Sequence, residues 1–397
     1  MRGFPTYITI PTRHLHTGSY AAAQSGHERD DDMEQTVGMP GAVMPETPEM
    51  LREMILPADR VSMEMARRRW NTVAKPLFSL GKLEDAVIRI AGMKRDARFS
   101  LKKKGLIIMC ADNGVVEEGV TQTGQEVTAV VADNFTKKAA SVAIMSEVAG
   151  VDLFPVDIGM AVDVPSVTRP EDKVAYGTKN MRKEPAMTRD QAWQAVLTGI
   201  RMVSRLKAEG YDIAATGEMG IGNTTTSSAV ASVLLEKPAE DVTGKGAGLS
   251  SEGLEQKIAV IRQAVRLHHP DKDDVLDVLS KVGGLDIAGL TGVYLGGALM
   301  HMPVVVDGFI SAVAALCAVR LVPDARDYML PSHVSKEPAG QMLLDALGMS
   351  PYLTCDMNLG EGSGAVAVLP LLDMGLLVYS RMSTFEEINV EQYEMLR

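Results

Sequence analysis

The stretch Gly217-Glu218-Met219-Gly220-Ile221-Gly222-Asn223-Thr224-Thr225 constrains what this chain can fold into more than any other. It follows the apolar run 213–216, which reads as a short buried strand. It precedes 227–235, which reads as a helix capped by hydroxyl residues. A strand, a glycine-rich turn and a helix N-terminus make an anion site, because unpaired N–H groups and the helix dipole point at the ligand. The glycines allow close backbone approach, and Asn223, Thr224 and Thr225 add uncharged hydrogen-bonding groups. Glu218 does not fit a plain phosphate cradle, which gains nothing from a negative charge. The competing reading of such a stretch is a tight structural turn between strand and helix.

The surrounding pattern places that turn in a sheet. Leu106-Ile107-Ile108-Met109-Cys110-Ala111 reads as a buried strand ended by the turn Asp112-Asn113-Gly114. Residues 125–148 carry a helical apolar period, and 151–156 read as the next strand. This is the βαβ rhythm of a mostly parallel α/β sheet. Thr188-Arg189-Asp190-Gln191 is a capping-box start to a helix that runs to Lys207 and stops by Gly210. Helices are also predicted over 48–72, 83–91, 254–267 and 366–372, and a small-residue helix from 283 that packs tightly against a strand. Val304-Val305-Val306-Asp307 reads as a strand ending in an aspartate. Ligands of a parallel sheet bind at the carboxyl ends of its strands. Five loops are expected to gather there: 112–126, 217–225, 244–251, 307–308 and 359–365. Three of them set a carboxylate beside glycine, at Glu218, Asp307 and Glu361.

At 397 residues the chain is long enough for one large core or two domains. A net charge of -11 argues against nucleic acid or an anionic membrane as the main partner. Cys110, Cys317 and Cys355 form no Cys-x-x-Cys pair, which predicts a reducing, cytoplasmic setting and no structural zinc. No apolar run is read as reaching the ~20 residues of a membrane span. Residues 1–45, with the acidic run Asp30-Asp31-Asp32, read as a flexible extension without a secretory signal. His14, His16 and His27 in that segment read as solvated. The pair His268-His269, just before Pro270, reads as helix-end side chains rather than metal ligands. The spacing Gly-x-x-Gly-x-Gly of 217–222 is not that of a dinucleotide fold, and Gly244-Lys245-Gly246 does not complete a P-loop.

Together these blocks resemble the nicotinate-nucleotide–dimethylbenzimidazole phosphoribosyltransferase family over about residues 48–380. The residues that carry the resemblance are 217–225 and Gly360-Glu361-Gly362-Ser363-Gly364-Ala365, supported by 75–85, Gln125-Glu126-Val127-Thr128-Ala129 and Val306-Asp307-Gly308-Phe309. The resemblance implies a Rossmann-like, doubly wound parallel sheet with a small helical domain built from the terminal segments. The implied division is an extension over 1–45, a helical part over 46–95 and a large α/β domain with the nucleotide site over 96–345. Residues 346–397 then return Glu361 to that site and complete the helical domain.

The implied reaction moves phosphoribose from nicotinate mononucleotide to 5,6-dimethylbenzimidazole or a phenolic base, giving an α-ribotide for a cobalamin-like cofactor. The implied assembly is a homodimer, or a heterodimer with a homologous chain in which this one is weakly active or silent. No cofactor and no metal are implied. The resemblance assigns Glu361 as general base and places Glu218 beside the reacting ribose. Gly220, Gly222, Asn223, Thr224, Lys257 and Asp307 fall at nucleotide-binding positions, and Thr123, Val131, Met219 and Leu359 at the acceptor-base pocket. Displacement at the anomeric carbon passes through an oxocarbenium-like state, which gives a carboxylate inside a phosphate loop a task. The chain departs from the family at Asp112-Asn113-Gly114, where Asp-His-Gly is usual, at Thr123-Gly124 for Ser-Pro, and at Val131 for Gln.

Overall fold

Every residue of the strand Lys104–Ala111 is buried, which requires a sheet covered by helices on both faces. A computed structural model describes residues 44–393. The extension expected over 1–45, with its three histidines, lies outside the described residues up to position 43.

The described chain opens with three helices, α1 (Pro48–Met54), α2 (Arg60–Thr72) and α3 (Lys82–Lys94). The single helix predicted over 48–72 is thus two. Pro57 interrupts it, and the Asp59 carboxylate restarts it by accepting from the amides of Val61 and Ser62. β1 (Lys104–Ala111) leads through α4 (Glu126–Thr136) and α5 (Ser141–Ala149) to β2 (Val151–Gly159), and α6 (Arg189–Ala208) leads on to β3 (Ile213–Met219). Then α7 (Asn223–Leu234), α8 (Ala239–Val242), α9 (Ser251–His268), α10 (Val275–Val282) and α11 (Leu285–Leu299) precede β4 (Val304–Val306). α12 (Phe309–Leu321) connects to β5 (Met329–Pro331), and α13 (Gly340–Ala346) and α14 (Ser363–Arg381) close the described chain. The capping box at Thr188 and Gln191 forms as predicted.

The five strands lie in the order β2-β1-β3-β4-β5, and every pairing is parallel. Lys104 is in register with Val151 on one side and Ile213 on the other. The order reverses between β1 and β3, so their carboxyl ends flank the crevice in which open α/β sheets hold ligands.

α11 is buried along its length from Leu285 to Ala298. Its small residues were expected to meet a strand; their closest partner is α6. A Cβ on Gly199 would lie 2.0 Å from the Gly289 carbonyl oxygen, and one on Gly292 would lie 1.9 Å from that of Val196. The two helices therefore touch backbone to backbone, and α11 reaches down to β1 as well. α14 bears on the expectation that no apolar run reaches the length of a membrane span. Its 19 residues are apolar enough, by length and composition, to cross a membrane, although no such run was read from the sequence. Asp373 had broken the apolar run. In the fold Asp373 pairs with Lys104 at 3.0 Å, and the helix packs on α3, α5 and β3 as core. The ends of the described chain meet there: Val73 bridges Thr384, and the Trp70 and Tyr379 rings lie 5.2 Å apart.

The α6–α11 contact yields a test. Gly292→Ala is expected to lower the unfolding free energy by about 1–3 kcal/mol through overpacking, read as a lower denaturant midpoint at an unchanged m-value.

Candidate active site

The carboxyl ends of β1, β3, β4 and β5 open on one side of the sheet because all the strands are parallel. Asp112, Glu218, Asp307 and His333 follow or end those strands. Above them lies a cavity of about 240 Å³, lined by Glu218, Asn223, Thr224, Asp307, Glu361 and neighbouring residues. A larger groove of about 750 Å³ runs along the edge strand β2. It lies away from the carboxyl ends of the strands, and within it Arg205 pairs with Asp172 at 3.0 Å.

The glycine turn enters α7 differently from the sequence expectation. Gly222, at φ 92, is the N-cap, and no side chain caps the helix. The hydroxyls turn back on the helix instead: Ser228 donates to the Thr224 carbonyl at 2.8 Å and Thr226 to that of Asn223 at 3.1 Å. Of the first-turn amides of α7, Asn223 donates to the Gly220 carbonyl at 3.0 Å and Thr225 to that of Gly222 at 2.9 Å, which leaves the amide of Thr224, a residue lining the cavity. The turn itself is tied down from α4, where Thr128 Oγ1 accepts the Ile221 amide at 3.1 Å.

Lys257 reaches the same end of the cavity from α9. Only 1% exposed, its Nζ donates to Thr224 Oγ1 at 2.8 Å and to the Gly244 carbonyl at 3.2 Å. Burial pushes its ammonium pKa down to about 8, against the pull of the Glu337 carboxylate. A buried ammonium beside the remaining Thr224 amide makes an anion seat.

The other end is acidic. Glu218 is buried against Gly360, where a Cβ would lie 2.4 Å from Glu218 Oε1. Its Oε2 accepts a close hydrogen bond from Asn223 Nδ2. Burial, and then the carboxylate of Asp286, push the Glu218 pKa up to about 8. Asp286, at the start of α11, accepts from the same Asn223 Nδ2 at 3.1 Å and is pushed up to about 6 by burial. Asp307 accepts the Ala365 amide at 2.9 Å; burial raises its pKa, with His333 opposing. Glu361 sits at φ 62 between Gly360 (φ 87) and Gly362 (φ 93). Its Oε2 accepts the Val142 amide at 3.0 Å, in the first turn of α5, and burial raises its pKa. A non-glycine residue held in the left-handed region costs about 1–3 kcal/mol.

Most residues singled out in the sequence meet here. Gly220, Asn223, Thr224 and Asp307 line the cavity with Glu218 and Glu361; Gly222 and Lys257 stand just behind its wall. Val131, Met219 and Leu359 form apolar wall. Thr123 is exposed and does not line the cavity; its loop is instead latched by Gln122, which donates to the Gly248 carbonyl. Sequence reasoning passed over Asp286, His333, Ser335 and Glu337. Asp286 carried a signal, as the sole acid in an otherwise uncharged helix. The other three follow β5, three residues long and too short to show a period. His268 is more than a solvated helix end, since its Nε2 lies 2.7 Å from the Met181 carbonyl. Among the described residues no group of His, Cys, Asp and Glu is arranged to hold a metal.

A parallel sheet whose carboxyl-edge cavity gathers titratable carboxyls, with a buried ammonium behind its wall, is the frame of an α/β enzyme. A family model described as Phosphoribosyltransferase matches residues 55–390. The nicotinate-nucleotide–dimethylbenzimidazole phosphoribosyltransferase of Ruminiclostridium cellulolyticum is 46% identical over 84% of this chain and 95% of its own length. The enzyme of the same name from Acetivibrio thermocellus is 46% identical over 84% of this chain and 95% of its own. Among solved structures, CobT from Thermus thermophilus superposes with a TM-score of 0.78 at 36% identity, over 84% of this chain and all of that one. The chain belongs to the nicotinate-nucleotide–dimethylbenzimidazole phosphoribosyltransferase family, and is a pentosyltransferase.

The raised carboxyls predict how stability depends on pH. A carboxyl whose folded pKa exceeds its unfolded value contributes stability that is fully present below the unfolded value, about 4, and lost as pH rises through the folded one. With Asp286 at about 6 and Glu218 at about 8, stability should fall between about pH 4 and pH 8. Glu218→Gln should flatten the upper half of that fall in pH-resolved denaturation, and a rise over this range would contradict the assignment.

Proposed function

We propose that this chain transfers phosphoribose from nicotinate mononucleotide to an aromatic base, releasing nicotinate and forming an α-ribotide for the lower ligand of a cobamide. The observation that carries this reading is the pairing of Glu218 and Glu361 across Gly360, with the Lys257–Thr224 anion seat at the far end of the same cavity. The 5′-phosphate is held by the first turn of α7 and by Lys257, with Gly220, Gly222, Asn223 and Thr224 shaping the approach. That leaves the anomeric carbon near the acids. The glycosidic bond of the donor joins that carbon to a pyridinium nitrogen, so the bond pair returns to the ring and nicotinate leaves without activation by an added proton. Glu218 and Asp307 stabilise the positive charge that spreads over the ribose as the bond breaks.

A benzimidazole attacks through one ring nitrogen while the proton on the other is lost, and Glu361 takes it. Burial has raised the basicity of Glu361, and the Val142 amide fixes one of its oxygens. Val131, Met219 and Leu359 wall the acceptor side, and Thr123 belongs to the loop beside it. The chain is placed in the cytoplasm, in keeping with its three free cysteines, and works as a dimer with itself or with a homologous chain.

A second reading concerns the acceptor. Val131 makes that wall less polar, and an apolar wall suits a phenol, which presents one heteroatom. In the heterodimer form of this reading the chain is weakly active or silent and completes a partner's site. An assay of the purified chain for nicotinate release, with dimethylbenzimidazole and phenol in parallel, separates the two. Dimethylbenzimidazole is expected to react; release with phenol alone would favour the second reading, and no release with either would favour a silent subunit. Val131→Gln should raise the preference for the benzimidazole.

Glu361→Ala is expected to lower kcat by about 100-fold or more while nicotinate mononucleotide still binds within a few-fold by calorimetry. Near-normal turnover by that variant would remove Glu361 from the general-base role.

A further inference from the structure

Asp286 is wholly buried and does not line the cavity, yet one hydrogen bond separates it from a group that does. A carboxamide has two N–H bonds, and Asn223 directs its nitrogen at two carboxylates, Glu218 and Asp286. Asp286 is closely packed and held by hydrogen bonds. A methyl on Gly220 would lie 2.8 Å from its Oδ2, one on Gly284 would lie 2.4 Å from its Oδ1, and Oδ1 also accepts the Ile287 amide at 3.0 Å. We infer that Asp286 is a positioning residue for the transfer reaction: it fixes the Asn223 carboxamide and, as a like charge behind it, makes Glu218 hold a proton that leaves when a cationic nucleotide binds. The inference rests on the reading that nicotinate mononucleotide is the donor.

The argument is electrostatic. One neutral amide shared by two buried carboxylates does not compensate two negative charges, so the pair keeps one proton between them. Glu218 is the member that keeps it, because two further carboxylates, Asp307 and Glu361, face it, whereas Asp286 also accepts the Ile287 amide. The acids around Glu218 add to this, and the Asn223 hydrogen bond opposes it. Asp286 faces it from α11, Asp307 from the end of β4 and Glu361 from the loop before α14, while Asn223 of α7 is its donor and Cys110 of β1 stays a thiol. Asp112, at the end of β1, faces Asp286 in turn, and His333 faces Asp307. Among the described residues no lysine or arginine pairs with Glu218 or Asp286. The pyridinium nitrogen of the donor brings the missing positive charge to this end of the cavity. Glu218 then ionises, its proton passes to solvent, and the carboxylate is ready to stabilise the ribosyl cation. The donor itself thus prepares Glu218 for the reaction.

Nicotinate mononucleotide should be titrated calorimetrically into the full chain near pH 7 in two buffers of different ionisation heat. The proteins compared are the wild type, Asp286→Asn, Asp286→Ala and Glu218→Gln. The wild type should release a sizeable fraction of a proton, Asp286→Asn clearly less, and Glu218→Gln almost none. In turnover, Asp286→Asn should move the acidic limb of kcat/KM down by about 1 pH unit or more. Asp286→Ala, which frees the carboxamide, should also lower kcat. A purely structural role would lower activity equally at all pH values and leave the limb in place. Binding with the same proton release in Asp286→Asn as in the wild type overturns the inference and leaves the functional reading standing. Failure of the wild type to bind the nucleotide overturns both.

Discussion

Two loops far apart in sequence meet in this protein with no side chain between them. A Cβ on Gly217 would lie 2.4 Å from the carbonyl oxygen of Glu361, and one on Gly362 would lie 3.0 Å from that of Thr216. The end of β3 and the entry to α14 are therefore in backbone contact. Only glycine permits that approach, and only glycine readily takes the conformations at φ 87 and 93 that turn the chain on either side of Glu361. The active site depends on this contact, because it sets Glu361 beside Glu218. Glu361 itself is held left-handed, with an amide of α5 fixing its carboxylate. A loop free to relax would not hold an acid in that conformation.

The charges in the cavity are sorted along its length. Lys257 brings a positive charge to Thr224, with the Glu337 carboxylate beside it, whereas Glu218, Asp286, Asp307 and Glu361 gather around Asn223 and Gly360. A donor with a phosphate at one end and a cationic glycosidic nitrogen at the other fits this field in one orientation only. Burial strengthens the discrimination, since unpaired charge is costly where water is scarce. The same burial explains why the acids hold protons more tightly than usual.

Much of this could be read from the sequence. The strand–turn–helix at 213–235 and the capping box at Thr188 are local patterns, and local patterns fix local structure. The parallel sheet followed from the alternation of apolar runs with helical periods. The boundaries that failed have local causes too. The helix predicted over 48–72 divides at Pro57, and the apolar period over 125–148 divides into α4 and α5, with Lys138 at φ 57 between them. What could not be read was mostly long-range. Nothing in a one-dimensional pattern shows that Gly199 and Gly292 bring two helices into backbone contact. Nor does it show that Asn223 lies between Glu218 and Asp286, which is 63 positions away. β5, with three residues, is too short to announce itself, so His333 and Glu337 went without a role.

The central claim is that the two ends of one cavity hold the two ends of one donor nucleotide. A crystal structure of this chain with nicotinate mononucleotide bound tests it most directly. The account predicts the phosphate within hydrogen-bond distance of Lys257 Nζ and the first turn of α7, with the ribose between Glu218 and Glu361. A nucleotide seated in the groove along β2, or lying in the cavity with its phosphate among the acids, would contradict it.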